Sequence, residues 1–289
     1  MNNSFTYDLA VAYRIYPGIS KNPAVYAHDK LGLAELCIHS FYESLGALRA
    51  KIIVLLDNCP PEYEALFLRY FAAADLEFVH LAGEGNASTF KRQVEMLLEQ
   101  PYSEYIYFAE DDYFYLPDQF AAALEYMKTL GTGFISLYDH IDTYEMDVHN
   151  YRERITVAAG KHWRTAGSTC LTFLTTKTTL RATQHVFLTY SKKNYDASIW
   201  FALTKRNLRN PFKILKSIGD ISLLKLYVKA WMYTAGSILF GKKWYLWTPI
   251  PSGCTHIETT GLAPAIAWES YFQAANNSIS DEKKINSIS

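Results

Sequence analysis

The composition of the chain favours one large α/β domain or two small ones. Of its 289 residues, 49% are hydrophobic and 15% aromatic, which is enough apolar material for a sizeable core and argues against disorder except at the end of the chain. The formal net charge of −1 lacks the basic excess that neutralises phosphates, so nucleic acid is excluded as an expected partner. Any basic patch must therefore be local.

The cysteines and the N-terminus predict a cytoplasmic protein. The four cysteines are scattered and form no CxxC pair, which indicates neither a zinc knuckle nor a disulfide framework; they are Cys37, Cys59, Cys170 and Cys254. The stretch from Met1 to Asp8 has no basic segment followed by an apolar run, so we expect no secretory signal. A reducing compartment fits both observations.

The first half of the sequence alternates strands and helices. The apolar run from Asp8 to Tyr16 is closed by Pro17-Gly18 and predicts the first strand. The same reasoning predicts helices at 31–48, 62–74 and 89–98, and strands at 51–56, 76–81 and 105–109. Strands separated by single helices predict a mainly parallel sheet with helices on both faces, which binds ligands beyond the carboxyl ends of its strands.

The second half is less regular. We predict strands at 133–138 and 168–175, a polar loop at 139–154, a helix at 177–189 and a helix start at 196–203. Residues 205–243 contain nine basic residues against one acidic residue, a local charge of +8. The polar tail at 276–289 has little to bury, so we expect it to be disordered.

An acidic cluster, Glu110-Asp111-Asp112, follows the apolar strand at 105–109. Three consecutive carboxylates repel one another unless a cation or several donors are present, and their oxygens suit Mn²⁺ or Mg²⁺. A bound ion would bridge the carboxylates to phosphate oxygens. The alternative is an acidic loop that caps the helix near Asp118, although Asp118 itself already serves that purpose.

This pattern of a hydrophobic strand, Glu-Asp-Asp and an aromatic residue resembles the DXD-type motif of family-2-like GT-A glycosyltransferases. The DXD-type motifs of GT-A enzymes include the Glu-Asp-Asp form found in N-acetylglucosaminyltransferase I. The resemblance implies that Asp112 is the direct metal ligand, with Glu110 and Asp111 around the ribose, the sugar and the water shell of the metal. It also implies a nucleotide-sugar donor, with UDP favoured, and a glycan or lipid-linked acceptor.

The resemblance extends over most of the chain and implies a single GT-A catalytic domain, Rossmann-like, at residues 1–275. Its nucleotide-binding half would be 1–130 and its donor and acceptor half 131–275. Residues 205–247 would form a basic, amphipathic helical insertion near the C-terminus.

In GT-A enzymes the ends of the first two strands hold the nucleoside, which maps onto Ala12-Tyr13-Arg14 and Asp57. Asp57 could accept a hydrogen bond from the base, and Arg14 could contact a phosphate. The alternatives are a strand-end cap for Asp57 and a surface ion pair for Arg14. Lys91 is a weaker phosphate candidate, and a solvated helix charge is its alternative.

Two later segments resemble catalytic parts of the same family. Asp196, before Ser-Ile-Trp, falls where inverting GT-A enzymes carry the base that deprotonates the acceptor hydroxyl, with a helix cap as the alternative. His256 follows a proline-led turn and would reach the metal or the diphosphate, since imidazole is an acceptable ligand for manganese. A structural histidine is the alternative, and Glu258 and Thr259 depart from the family's spacer.

Trp163 and Gly167 lie between the acidic cluster and Asp196, where this fold commonly builds the pocket for the donor sugar and the acceptor. Trp163 could stack on a sugar face, and Gly167 could let a substrate approach the backbone. Core packing is the alternative for Trp163.

The basic segment interleaves lysines with apolar residues. Lys213, Lys216, Lys225 and Lys229 alternate with aliphatic and aromatic side chains, as in helices that lie on an anionic membrane surface. The alternative is a helical insertion packed on the domain or in a homo-oligomer interface. We therefore expect a cytoplasmic protein, with peripheral attachment to the cytoplasmic membrane face left open.

Two other functions remain open at this stage. A nucleotidyltransferase shares the parallel sheet and the carboxylate-metal chemistry, but it commonly has a Gly-rich loop after the first strand. Here that position reads Arg14-Ile-Tyr-Pro-Gly-Ile, with one glycine. A non-catalytic nucleotide-sugar-binding module or scaffold is the third hypothesis.

Overall fold

The computed structural model describes residues 5–19, 22–131, 133–149, 152–206, 208, 210 and 219–286. The strands of this part are β1 (Leu9–Ile15), β2 (Ala50–Asp57), β3 (Leu76–Leu81), β4 (Tyr105–Glu110), β5 (Tyr113–Tyr115), β6 (Phe134–Ile135), β7 (Ile155–Ala158), β8 (Lys161–Ala166), β9 (Phe173–Thr176), β10 (Leu246–Ile250) and β11 (Cys254–His256). Its helices are α1 (Lys30–Leu45), α2 (Pro61–Tyr70), α3 (Asn86–Glu99), α4 (Gln119–Leu130), α5 (Asp142–Glu145), α6 (Lys177–Phe187), α7 (Asp196–Thr204), α8 (Ile221–Phe240) and α9 (Trp268–Asn286).

One large mixed sheet organises the described chain, with the strand order β3-β2-β1-β4-β9-β6-β10-β8-β7. The first four strands of this order pair in parallel. The strands β9 and β8 run against their neighbours, while β6 and β10 pair in parallel. The predicted α/β class, with a mainly parallel sheet and helices on both faces, is confirmed.

The central strands are buried on both faces, which explains their nearly continuous apolar sequence. Successive side chains of a strand point to opposite faces, so Val11 and Tyr13 belong to the core that includes residues of α1, α2, α4 and α9, whereas Ala10 and Ala12 belong to the core that includes residues of α3, α6, α7 and α8. Because helices cover both faces, the carboxyl ends of β1, β2 and β4 are left as the open edge.

A second, two-stranded sheet joins the late part of the chain to the end of β4. Tyr113 to Tyr115 pairs antiparallel with Cys254 to His256, and His256 lies opposite Tyr113. This pairing carries a segment more than a hundred residues away along the chain onto the acidic cluster.

The predicted disorder at 276–289 is wrong for the described part of that tail, since α9 continues to Asn286. Trp268, Phe272 and Ile279 are buried against the core that contains α1, at spacings that place them on one face of a helix. Lys283 Nζ also donates to Glu35 Oε2 of α1 at 2.6 Å. Average composition misses such a helix because a few well-spaced apolar residues are enough to dock it.

Within the predicted basic insertion at 205–247, only Ile221–Phe240 is α-helical among the described residues, as α8, and the prediction is wrong at its end because Leu246 and Trp247 begin β10. Lys213 and Lys216 lie outside the described residues. Among the helices that the structure describes, none combines the length and the apolarity that crossing a membrane requires.

We expect Phe272→Ala to lower the free energy of unfolding by about 3–5 kcal/mol, because it removes a buried ring from the face that docks α9. Phe272 is 2% exposed and meets the Phe114 ring edge-on at a centroid distance of 5.0 Å. The matched control is Tyr271→Ala, since Tyr271 is 43% exposed on the same helix and should lose about 1 kcal/mol or less. Urea denaturation measures both, and equal losses would contradict the docking of α9.

Candidate functional site

A cavity of about 340 Å³ opens at the carboxyl ends of β1, β2 and β4. We call it the nucleotide cavity after the ligand that the sequence predicts for this edge of the sheet, and it is lined by Arg14, Ile15, Tyr16, Asp57, Gly85, Asn86, Thr89, Glu110, Asp111 and Asp112. Parallel strands bring residues that are distant in sequence to the same edge, which is where ligands of such sheets bind.

Glu110 ends β4 and is held by its neighbours on both sides. Its carboxylate forms an ion pair with the Arg14 guanidinium, and Thr172 Oγ1 donates to its other oxygen at 2.6 Å. Arg14 also donates to the backbone carbonyl of Asn86 at 3.0 Å. The side chains of Arg14 and Glu110 are 8% and 18% exposed, so this pair is part of the cavity wall rather than of the outer surface.

Asp111 is paired with the first residue of α1. Lys30 Nζ lies 2.5 Å from Asp111 Oδ2, and both side chains are 6% exposed. Burial raises the pKa of Asp111, although the Lys30 ammonium acts in the opposite direction. Burial also opposes the charge on Lys30, yet Asp111 raises the pKa of that ammonium, so the lysine stays protonated.

Asp112 is the acid that no lysine or arginine side chain contacts directly in the described chain. His256 Nε2 lies 3.0 Å from Asp112 Oδ2. The other oxygen, Oδ1, is buried and has no hydrogen-bond partner among the described residues. Burial acts to raise the pKa of Asp112, but His256 and the more distant Lys30 and Arg14 outweigh it and lower the pKa. Asp112 is therefore a carboxylate with one buried oxygen that has no hydrogen-bond partner among the described residues.

The position of His256 follows from the small β5–β11 sheet. The Ile257 N–H donates to the carbonyl of Asp112 at 2.8 Å, and the His256 ring meets the Tyr113 ring edge-on at 5.1 Å. His256 Nδ1 lies 3.7 Å from Glu258 Oε2. Glu258 thus places a carboxylate near the ring nitrogen that faces away from Asp112.

Asp57, at the end of β2, organises the loop before α3. Its carboxylate accepts backbone N–H groups from Gly83 at 2.8 Å, Glu84 at 2.7 Å and Gly85 at 2.8 Å. Gly83 and Gly85 have φ values of +84° and +79°, which only glycine adopts readily. These bonds match the strand-end alternative, and base recognition by Asp57 stays a prediction.

Two of the residues predicted to hold the nucleoside do not reach the cavity. Ala12 and Tyr13 are 0% exposed inside β1, and their side chains lie in the two cores. The strand β1 continues to Ile15, so the residues of its carboxyl end that line the cavity are Arg14, Ile15 and Tyr16. The prediction for Ala12 and Tyr13 is wrong by two to three residues, because the apolar run does not show where the strand leaves the sheet.

Lys91 and Trp163 also lie away from the nucleotide cavity. Lys91 is on the exposed side of α3, with Nζ 3.6 Å from Glu95 Oε1, which matches the solvated-charge alternative. Trp163 is 0% exposed on β8, its ring 4.6 Å from Tyr126 and its indole N–H bonded to the carbonyl of Ala158 at 2.9 Å. Stacking of Trp163 on a sugar is therefore wrong, since core packing buries both faces of the ring.

Asp196 lines a second cavity, of about 430 Å³, which we call the Asp196 cavity. Asp196 is the first residue of α7, as its sequence predicted, and its Oδ1 accepts the N–H of Ala197 at 2.6 Å. The cap residue of the helix is Tyr195, so Asp196 is not the cap. Gly167 is buried directly after β8, and its neighbour Ser168 lines this cavity.

The segment at 168–172 connects the two cavities. Thr172 at one end bonds Glu110 of the nucleotide cavity. Cys170 lines the Asp196 cavity, and its carbonyl accepts the indole N–H of Trp200 on α7 at 3.1 Å. Burial raises the pKa of the Cys170 thiol, and the charges of Asp196 and Glu110 act in the same direction. Cys170 thus lies within electrostatic reach of both sites.

Sequence analysis missed Lys30, Asn86 and Thr172. A signal for Lys30 existed, because three adjacent carboxylates need cations and Lys30 begins the first helix after β1. Asn86 and Thr172 follow no pattern of spacing, and only the fold brings them to Arg14 and Glu110.

The described side chains alone do not form a complete metal site. In the described ranges, no group of three or more His, Cys, Asp or Glu side chains is arranged to hold a metal ion. Asp112 and His256 supply at most two protein ligands, so a bound cation would take its other ligands from a substrate or from water.

We expect Lys30→Met to lower the free energy of unfolding by about 3–5 kcal/mol, because it leaves the buried Asp111 carboxylate without its partner. Adding Asp111→Asn should restore most of that loss, since the charge is then gone. Lys91→Met is the control and should cost about 0.5 kcal/mol or less, because that lysine forms an exposed helix pair. Denaturant titration at pH 7 measures all three, and a double variant no better than Lys30→Met would contradict the pairing.

The chain resembles several solved structures of glycosyltransferases at low sequence identity. No family model and no curated protein sequence matches the chain. Among solved structures, S. aureus TarS 1–349 superposes with a TM-score of 0.41 at 11% identity, over 83% of this chain and 59% of that fragment. The same protein in complex with UDP-GlcNAc gives 0.34 at 10% identity, over 44% and 33%. Mannosyltransferase PcManGT from Pyrobaculum calidifontis, in complex with GDP-Man and Mn²⁺, gives 0.34 at 15% identity, over 46% and 36%.

In each of these superpositions the chain spans less than two thirds of the other protein. A likeness of this size does not assign the chain to a family. What the chain does is therefore inferred from its own site.

Proposed function

We propose that the chain is a glycosyltransferase that uses Mn²⁺ or Mg²⁺ to transfer a sugar from a nucleotide-sugar donor, with UDP favoured, to a glycan or lipid-linked acceptor. The observation that carries the proposal is the difference in pairing among the three acids. Glu110 and Asp111 are paired with Arg14 and Lys30, whereas Asp112 keeps a buried oxygen without a partner among the described residues.

The residues around Asp112 suit a hard divalent cation. Carboxylate oxygen and imidazole nitrogen are both acceptable manganese ligands, and Asp112 and His256 already lie 3.0 Å apart. A bound cation would neutralise charge on the diphosphate as it leaves the sugar. Glu258 would keep the His256 ring oriented for that purpose.

The rest of the nucleotide cavity suits a nucleoside diphosphate. Arg14 lines the cavity, and guanidinium groups bind phosphate oxygens in a planar fork. Ile15, Tyr16 and Asp57 line the cavity at the ends of two adjacent strands, where a flat base would be enclosed. Glu110 and Asp111 would then face the ribose and the sugar.

A nucleotidyltransferase remains the second enzymatic hypothesis. It needs the same carboxylates and cation, but the turn after β1 contains Gly18 as its single glycine. A sugar-nucleotide-binding module without activity is the third. Titration with UDP and manganese, followed by a donor-hydrolysis assay, distinguishes binding from turnover.

Asp196 is proposed as the base of an inverting transfer. It starts α7, lies in a cavity next to the nucleotide cavity, and is not the helix cap. An acceptor hydroxyl within hydrogen-bond reach of its carboxylate would lose its proton while it attacks the anomeric carbon.

Asp112→Asn should abolish metal-dependent UDP binding and turnover while the fold is preserved, because an amide is a neutral and weaker ligand for a hard cation. The control is Glu99→Gln, which removes an exposed carboxylate at the end of α3. Calorimetric titration with UDP, with and without manganese, measures the effect. Undiminished metal-dependent binding in Asp112→Asn rules the metal assignment out.

Asp196→Asn should leave donor affinity nearly unchanged and lower the single-turnover rate by roughly a hundredfold or more, the usual scale of base catalysis. A purely structural role predicts little change in rate, since Asn replaces Asp well at helix starts. The anomeric configuration of the product, determined by NMR, completes the test. A near-normal rate or a retained configuration excludes Asp196 as an inverting base.

A membrane surface is the proposed location of the acceptor, and the outward face of α8 favours it. Five apolar side chains of this helix are exposed, with Phe240 88% exposed: Ile221, Val228, Met232, Leu239 and Phe240. Ile221, Val228 and Met232 recur at helical spacing before a kink at Thr234, Leu239 and Phe240 follow the kink, and Lys242 and Lys243 come after Gly241. Apolar side chains beside lysines suit an anionic bilayer surface, where both find partners.

If α8 lies on a membrane, the protein should co-sediment with vesicles that contain phosphatidylserine and much less with pure phosphatidylcholine vesicles. Replacing Lys225, Lys242 and Lys243 by Gln should weaken binding roughly tenfold or more, at about 1 kcal/mol per lysine, and added salt should act likewise. Lys284→Gln on α9, which packs against the other core, is the control. Binding that ignores both lipid charge and salt points to packing or an oligomer interface instead.

A further inference from the structure

The Asp196 cavity has a strongly negative lining. Four carboxylates line it, at Asp142, Asp147, Asp196 and Asp220, and no lysine or arginine of the described chain does. Asp220 is held in place as the cap of α8, since it accepts the N–H groups of Ser222 at 2.9 Å and Leu223 at 3.1 Å. His140 also lines the cavity, with Nδ1 3.6 Å from Asp142 Oδ2, and the excess of carboxylates over basic side chains in this lining disfavours an anion.

The rest of the lining suits a sugar ring. Met146, Phe201, Leu223 and Leu226 give it apolar lining. Hydroxyl groups come from Thr143, Ser168 and Ser222. A pyranose has an apolar C–H face and polar edges, and a volume of about 430 Å³ falls within the range of small-ligand sites.

His149 provides an independent sign that a ligand belongs there. It is 9% exposed and lines the cavity, its ring meets Phe201 edge-on at 5.8 Å, and its Nδ1 is buried without a hydrogen-bond partner in the described part of the chain. Burial lowers the pKa of His149 to about 4, so the imidazole is neutral near pH 7. A neutral imidazole both donates and accepts, and a buried nitrogen without a partner costs about 1–3 kcal/mol. A ligand hydroxyl would remove that cost.

We propose that the Asp196 cavity is the acceptor subsite and that it takes a sugar or polyol without acidic groups, neutral or amine-bearing, with His149 as a specificity residue that bonds an acceptor hydroxyl. The inference rests on the proposed glycosyl transfer, because it places the acceptor next to Asp196. It adds the class of acceptor, which the transfer itself leaves open.

Charge explains the selectivity. A carboxylate or phosphate on the acceptor meets the lining aspartates across a few ångströms, whereas an ammonium group is attracted by the same residues. A neutral sugar is not repelled by the aspartates and still contacts the apolar residues and His149. Uronic acids and sugar phosphates are thus the disfavoured acceptors.

Ligand-observed NMR titration of the full chain, without donor or metal, tests the proposal directly. The probes are methyl glycosides of glucose, galactose and mannose, methyl glucosaminide, and methyl glucuronide. At least one neutral or amine-bearing glycoside should bind, and the glucuronide should bind roughly tenfold more weakly. Tighter binding of the glucosaminide identifies an amine-bearing acceptor, and equal binding a neutral one. Glucuronide affinity equal to the others, or binding of none of the probes, overturns the proposal.

Two variants assign the binding to this cavity. His149→Phe keeps the aromatic contact with Phe201 and should weaken glycoside binding roughly tenfold by removing one hydrogen bond. Asp142→Asn with Asp220→Asn removes two charges while Asn still caps α8, and it should raise the affinity of the glucuronide relative to the glucosides. Unchanged binding in both variants locates the glycosides elsewhere and overturns the proposal. If one variant folds poorly, unchanged binding in the other is enough to overturn it.

UDP titration with manganese on the same samples separates this proposal from the proposed function. UDP binding without any glycoside binding contradicts the acceptor subsite alone. Glycoside binding without UDP binding contradicts the transferase and leaves a sugar-binding cavity.

Discussion

Three consecutive carboxylates at the end of one buried strand repel one another, and the surroundings of the site balance that repulsion one acid at a time. Arg14 from β1 pairs with Glu110, and Lys30 from α1 pairs with Asp111. Neither cation is near in sequence. The parallel pairing of β1 with β4, which sets Arg14 opposite Glu110 in register, is what makes the first pair. The start of α1 supplies the second.

This division leaves Asp112 with a different role from its neighbours. Its contact with His256 depends on the β5–β11 pairing, and its second oxygen stays open within the described chain. The two charged pairs keep the acids in place without using the oxygen that a cation would need. Arg14 and Lys30 thus position two of the acids, whereas Asp112 and His256 are the proposed metal ligands. The segment at 168–172 connects this site to the Asp196 cavity.

Much of the first half of the fold was predictable because its signals are local. The apolar runs of β1 to β4 and the helical periodicity between them place the acidic cluster at a sheet edge before any contact is known. Asp196 at a helix start was predicted for the same reason. The short strands β7, β8 and β10 were not predicted, since β7 has only four residues, β8 and β10 mix polar and aromatic residues, and all three are stabilised by their neighbours in the sheet.

The sequence by itself determined the α/β class, the edge at which the acids lie and the residue types available for chemistry, because strand and helix periodicities act over a few residues. Tertiary structure decided which of those residues meet. It buried Trp163 between β8 and α4, left Lys91 in solvent, and docked α9 through three apolar residues. It also brought Lys30 and His256 to the carboxylates, although a chain of net charge −1 offers many other ion pairs. Pairing depends on distance in space, and spacing along the chain does not encode that distance.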